Sequence, residues 1–128
     1  MVNIEKHINY WAKGAEEDFS VAQELIARGR IRHGLFFMHL ALEKMLKAHI
    51  CSYTEELAPK KHDLLSLSRS SNISLTKEQE LFLARSGRFQ LEGRYPEMLD
   101  PPPTPDQAEK EIKKAGDLLS WLKMKLSG

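Results

Sequence analysis

The 128 residues carry 19 Lys and Arg against 18 Asp and Glu, a formal net charge of +1. That balance excludes the global basic field that drives non-specific nucleic-acid binding. One cysteine, Cys51, excludes an internal disulfide, and no apolar run nears the roughly 20 residues of a membrane span.

The length is that of one domain able to bury a core, so residues 1–128 are read as a single unit. The N-terminal stretch lacks the apolar centre of a secretory signal, and a cytoplasmic location is expected. A first helix is predicted from Ile4 to Ala27. Ile8, Trp11, Ala15, Phe19, Ala22 and Leu25 or Ile26 recur at steps of three and four, as a buried helical stripe requires. Asn3 is its expected N-cap and Gly29 its stop. Arg28 to His33 is read as a short basic turn, which makes the next helix an antiparallel neighbour.

That next helix, His33 to Tyr53, is the centre of the chain. Leu35, Met38, Ala41, Leu42, Met45, Leu46, Ala48 and Ile50 cover about two thirds of its wheel, the pattern of a helix packed on several sides. Glu43, Lys44 and Lys47 share the remaining third with Phe36 and Leu40. Pro59 forbids further continuation. A short helix is expected from His62 to Leu67, with Leu64 and Leu67 inward. Thr76 and Gln79 form a capping box that opens a fourth helix, with Leu81, Phe82, Ala84 or Arg85 and Phe89 inward, ending near Leu91 to Gly93. Tyr95 is pushed extended by Pro96, and Pro101 to Pro103 form a stiff connector. Thr104, Pro105, Asp106 and Gln107 start the last helix, with Ala108, Ile112, Ala115, Leu118 or Leu119 and Leu122 inward and Trp121 beside them. No segment alternates at period two for long enough to be a strand. The fold class is all-α, an up-and-down antiparallel bundle of about five helices.

The run Phe37 to Ala48, FMHLALEKMLKA, resembles the signature helix of the HEPN domain family, F-x-x-[HQ]-x-A-x-E-K-x-L-K-A. Ala15, Asp18 and Ala22 resemble the family's first helix. His62-Asp63-Leu64 with Leu67 resembles its H-x-L-x-x-L element, and Arg94-Tyr95-Pro96 its R-Y-P segment. The resemblance implies a helical bundle that commonly forms homodimers. It also implies a frequent partner, a small nucleotidyltransferase, with which members form toxin–antitoxin pairs. Some members are metal-independent ribonucleases that use an Arg followed four to six residues later by a His in the later half of the domain. Here the histidines stand at 7, 33, 39, 49 and 62, so Arg69, Arg85, Arg88 and Arg94 are followed by none. Arg28 and His33 have the spacing but lie in the first interhelical turn, and are the only catalytic candidates alongside a looser pairing of Arg94 with His62.

The ligand-binding candidates are Glu43, Lys44, Lys47, His62, Arg94 and Tyr95. Glu43 and Lys47 form an i, i+4 pair, read either as a solvated pair or as the polar floor of a groove beneath Arg94 and Tyr95. An Arg fork suits phosphate or carboxylate, and a neighbouring Tyr can stack on a base. Arg85, Arg88 and Phe89 fall on roughly one helix face, read as an RNA contact or as a self-paired surface. No Cys–His cluster suits zinc, no phosphate-binding glycine loop is present, and no cofactor is expected. The functional expectation is a homodimeric module that binds a nucleotide, RNA or a minimal nucleotidyltransferase within a toxin–antitoxin or regulatory pair. The alternatives are a metal-independent ribonuclease and an interaction module without a small ligand.

Overall fold

The computed structural model describes residues 3–94 and 101–127, with side chains over 3–90 and 101–126. Five helices follow in order: α1 (Ile4–Ala27), α2 (Ile31–Thr54), α3 (Leu64–Ser70), α4 (Lys77–Arg94) and α5 (Pro105–Ser127). No strand occurs among the described residues. No helix among them is long and apolar enough to cross a membrane.

Four of the five helices start at a side-chain cap, α2 being the exception. The Asn3 side chain accepts from Lys6 N at 3.2 Å. Thr76 and Gln79 bond reciprocally, at 2.8 and 3.1 Å. Thr104 and Gln107 do the same at 2.9 and 3.2 Å, with Pro105 in the first helical position. The α1 end is a Schellman turn. Gly29 takes φ +77°, Arg30 N donates to Leu25 O at 2.9 Å and Gly29 N to Ile26 O at 3.0 Å. The connection is therefore only Arg28 to Arg30, shorter than expected, and His33 lies in the first turn of α2. At the other end of α2, Glu55 closes the helix at φ 58°.

Helix α2 touches all four others, while α1 also meets α5 and α3 meets α4. The long helices alternate in direction, α1 up, α2 down, α4 up and α5 down, and α3 is a short step inside the α2–α4 connection. Leu35, Met38, Leu42, Met45 and Leu46 on α2 are essentially inaccessible. They pack on Ala15, Ala22 and Ile26 of α1 and on Leu118, Leu119 and Leu122 of α5. Gly34 on α2 lets the two backbones approach closely at Ala22 of α1.

Two local expectations change. On α4 the buried side chains are Phe82, Leu83, Ser86 and Phe89, while Leu81 is 57% exposed. Phe82 and Phe89 stay inward, but Leu83 and Ser86 join them in place of Leu81 and Ala84 or Arg85, on the face that meets α2 and α3. The short third helix starts at Leu64 with Asp63 as its N-cap, so His62 sits in the loop before it.

A Cβ on Gly34 would lie 2.5 Å from Ile26 Cδ1 and 3.2 Å from the Ala22 carbonyl, whereas Gly87 has nothing within 4 Å. Ile26 is buried and has little room to move. Gly34→Ala is expected to lower the urea-unfolding free energy by about 1–2 kcal/mol, overpacking outweighing the gain in helix propensity. Gly87→Ala should raise it by about 0.5–1 kcal/mol.

Candidate functional site

His39, Glu43 and Lys47 follow one another at i, i+4 on α2, which stacks them along one line of the helix surface. That line does not face water. Glu43 and Lys47 are each 5% exposed, and His39 is buried. A carboxylate and an ammonium at such depth each need a full set of partners.

Glu43 has them. Its Oε2 accepts from Lys47 Nζ at 3.1 Å and from His62 Nδ1 at 3.0 Å. Its Oε1 faces His39 Nε2 at 3.5 Å, an ion-pair distance wider than a hydrogen bond. His39 Nδ1 donates to the Ser86 carbonyl on α4 at 3.3 Å. Lys47 Nζ lies 5.2 Å from the centre of the Trp11 ring on α1, so the cation is held between a carboxylate and an aromatic face. Burial alone would push the Glu43 carboxyl up. The His39, His62 and Lys47 side chains set against it, with the Lys47 charge, outweigh that and hold the group down at about 2.

The other candidates fall elsewhere. Lys44, about 100° further round the wheel, reaches Asp18 on α1 at 2.8 Å, with its stem against Gly14. Arg28 caps α1 and His33 lies in the first turn of α2, both exposed. Ten residues, about 15 Å of helix rise, separate His33 from Glu43. The Arg94 side chain and Tyr95 lie outside the described residues. Glu43, Lys47 and His62 are thus brought together, while Lys44, Arg28 and His33 are not among them.

The buried cluster excludes the solvated-pair reading of Glu43 and Lys47. It also shows partners that sequence reasoning missed. Trp11 read only as part of the apolar stripe of α1. The Ser86 carbonyl has no sequence signature, since any residue carries one. Only the i, i+4 spacing of His39 to Glu43 was there to be noticed. On α4, Arg85 forks onto Glu111 of α5 at 3.2 and 3.3 Å and lies over Phe82, which favours the self-paired reading of that face. Cys51 is buried, and burial pushes its thiol up, away from nucleophilic use.

Chemically the cluster is a neutralised ion network that fastens α1, α2, α4 and the loop before α3. Removing the carboxylate strands a buried lysine beside two imidazoles. Glu43→Gln should cost about 3 kcal/mol of stability in urea unfolding at pH 7. The Glu43 carboxyl is lowered from its ordinary 4.5 to about 2. Its contribution is therefore complete above about pH 4.5 and is lost as the pH falls toward 2. Urea midpoints measured across that window should drop more steeply in the wild type than in Glu43→Gln.

The comparisons agree with this architecture. The fold is similar to the crystal structure of TT1696 from Thermus thermophilus, with a TM-score of 0.79 over 92% of this chain and 97% of that one, at 18% identity. No curated protein matches the chain. The HEPN domain profile matches residues 8–125. With the FMHLALEKMLKA run forming the central helix of a five-helix bundle, the chain belongs to the HEPN domain family.

Proposed function

We propose that this protein is a non-catalytic HEPN module that works in the cytoplasm as a homodimer by binding a minimal nucleotidyltransferase, the two forming a toxin–antitoxin or regulatory pair. The observation that carries the reading is the internal neutralisation of the signature helix. Glu43, Lys47 and His62 satisfy one another, and Lys44 is bound to Asp18. A phosphate binder needs cations whose charge is still to be met. Here those of the central helix are already met, so the helix serves as a rigid core that presents its neighbours to a partner. The absence of any histidine after the later arginines supports a non-catalytic role.

A second reading, nucleotide binding at the edge of the cluster, is favoured by one observation. The His62 side chain is 48% exposed although its Nδ1 is tied to Glu43, so its outer edge faces solvent. A ligand there would meet His62 first.

Co-expression with a nucleotidyltransferase encoded beside it should yield one complex in size-exclusion chromatography with light scattering, and the chain alone should run as a dimer. Purified protein should leave single-stranded RNA intact in the presence of chelator. RNA cleavage that His33→Ala or Arg28→Ala abolishes would establish the ribonuclease instead. A shift of the His62 ring resonance on adding adenosine or guanosine phosphates would transfer the assignment to nucleotide binding.

A further inference from the structure

His49 lies six residues beyond Glu43, roughly 240° round the helix, on a different face of α2 from the ion cluster. It is 7% exposed. Its Nε2 donates to the Leu122 carbonyl on α5 at 2.7 Å. A carbonyl can only accept, so Nε2 carries the proton. Burial pushes this imidazole below its ordinary value, against the pull of the Leu122 bond, and keeps it neutral at pH 7. In the neutral ring the other nitrogen, Nδ1, is then an acceptor.

That ring lines a cleft of about 550 Å³ between the C-terminal turns of α2 and α5 and the loop that follows α3. The volume is within the usual range of small-molecule sites, about 300–1,000 Å³. Tyr53 and Trp121 supply aromatic walls, Ser71 and Ser74 supply hydroxyls, and Lys125 supplies a cation. Among the described residues, no carboxylate lines it. The Lys125 ammonium lies 5.6 Å from the centre of the Trp121 ring, so an anion held by Lys125 brings whatever it is attached to against the indole. The adjoining cleft, also bordered by Trp121, differs in this respect. It measures about 320 Å³ and sets Glu78 and Asp117 beside Lys114, which leaves no surplus positive charge.

We propose that the cleft at His49, Trp121 and Lys125 is a binding site for a small planar anion that carries one hydrogen-bond donor: the anion meets Lys125, the ring meets Trp121, and the donor meets His49 Nδ1. This chemistry is shared by free aromatic acids and by nucleotides. The site does not depend on the partner-binding role and lies apart from the His62 edge.

The two tryptophans make the test internal, because Trp121 lines the cleft and Trp11 belongs to the Glu43 cluster. In ¹⁵N-labelled protein, 4-hydroxybenzoate should move the Trp121 indole N–H resonance saturably, with a Kd of about 1 mM or below, and leave that of Trp11 in place. Lys125→Gln, an exposed substitution, should weaken binding about tenfold. Two further probes separate the recognition elements. 4-Methoxybenzoate, which lacks the donor, and trans-4-hydroxycyclohexanecarboxylate, which keeps the donor but lacks the plane, should each bind several-fold more weakly. Adenosine 5′-monophosphate run in parallel identifies the source, since tighter binding than 4-hydroxybenzoate at Trp121 assigns the site to nucleotides and weaker binding assigns it to free aromatic acids. Absence of a saturable Trp121 shift with both probes would overturn the proposal. So would equal binding by Lys125→Gln, or equal binding of the methoxy or non-planar compound.

Discussion

The structure depends on a buried carboxylate. Glu43 sits at the middle of the helix that every other helix touches, at a depth where an unpaired charge would be untenable. Its compensation comes from Lys47 one turn along, His39 one turn back and His62 from the loop before α3. Through Lys47 the network reaches Trp11 on α1, and through His39 it reaches Ser86 on α4. One charge thus demands a fixed placement of three other segments. Hydrophobic packing alone tolerates sliding and repacking, whereas hydrogen-bond geometry to a buried ion does not.

The two buried imidazoles on α2 repeat a common device. His39 bonds the Ser86 carbonyl of α4, and His49 bonds the Leu122 carbonyl of α5. A helical carbonyl already accepts within its own helix and has a second lone pair to offer. An imidazole N–H that takes it fixes the axial register of two helices at one point. Leucines along the same interfaces supply most of the free energy of burial but little directional information. At the surface, Arg85 with Glu111 and Lys123 with Glu16 join α5 to α4 and α1, and such exposed pairs add less.

This division of labour shapes the functional reading. The residues that carry the family pattern, Glu43, Lys44 and Lys47, are engaged in holding the bundle together. The proposed roles accordingly fall on surfaces that the bundle displays. One is the partner face of the proposed homodimeric module. Another is the proposed anion cleft between α2 and α5, where His49, Trp121 and Lys125 converge with no opposing carboxylate among the described residues.

Much of this was legible in the chain itself. The steps of three and four along α1 and α5, the capping boxes at Thr76 and Thr104, and Gly29 after Ala27 identify the helices, because helix periodicity and capping are local properties. The near-continuous apolar circumference of α2 likewise identifies it as central, and the FMHLALEKMLKA run carries the family. Other features had no local signature. Sequence spacing puts Glu43, Lys44 and Lys47 on one stripe, yet tertiary packing sends Lys44 to Asp18 and the other two to His62, His39 and Trp11. The inward face of α4 shifted from Leu81 to Leu83 and Ser86, since the neighbours decide which side of a weakly amphipathic helix is covered. Helix positions, their order and the family thus follow from local pattern along the chain. Whether a charge on the central helix meets water or a buried partner was decided only by the tertiary structure, because the partners lie up to dozens of residues away and include backbone carbonyls that no side-chain pattern encodes.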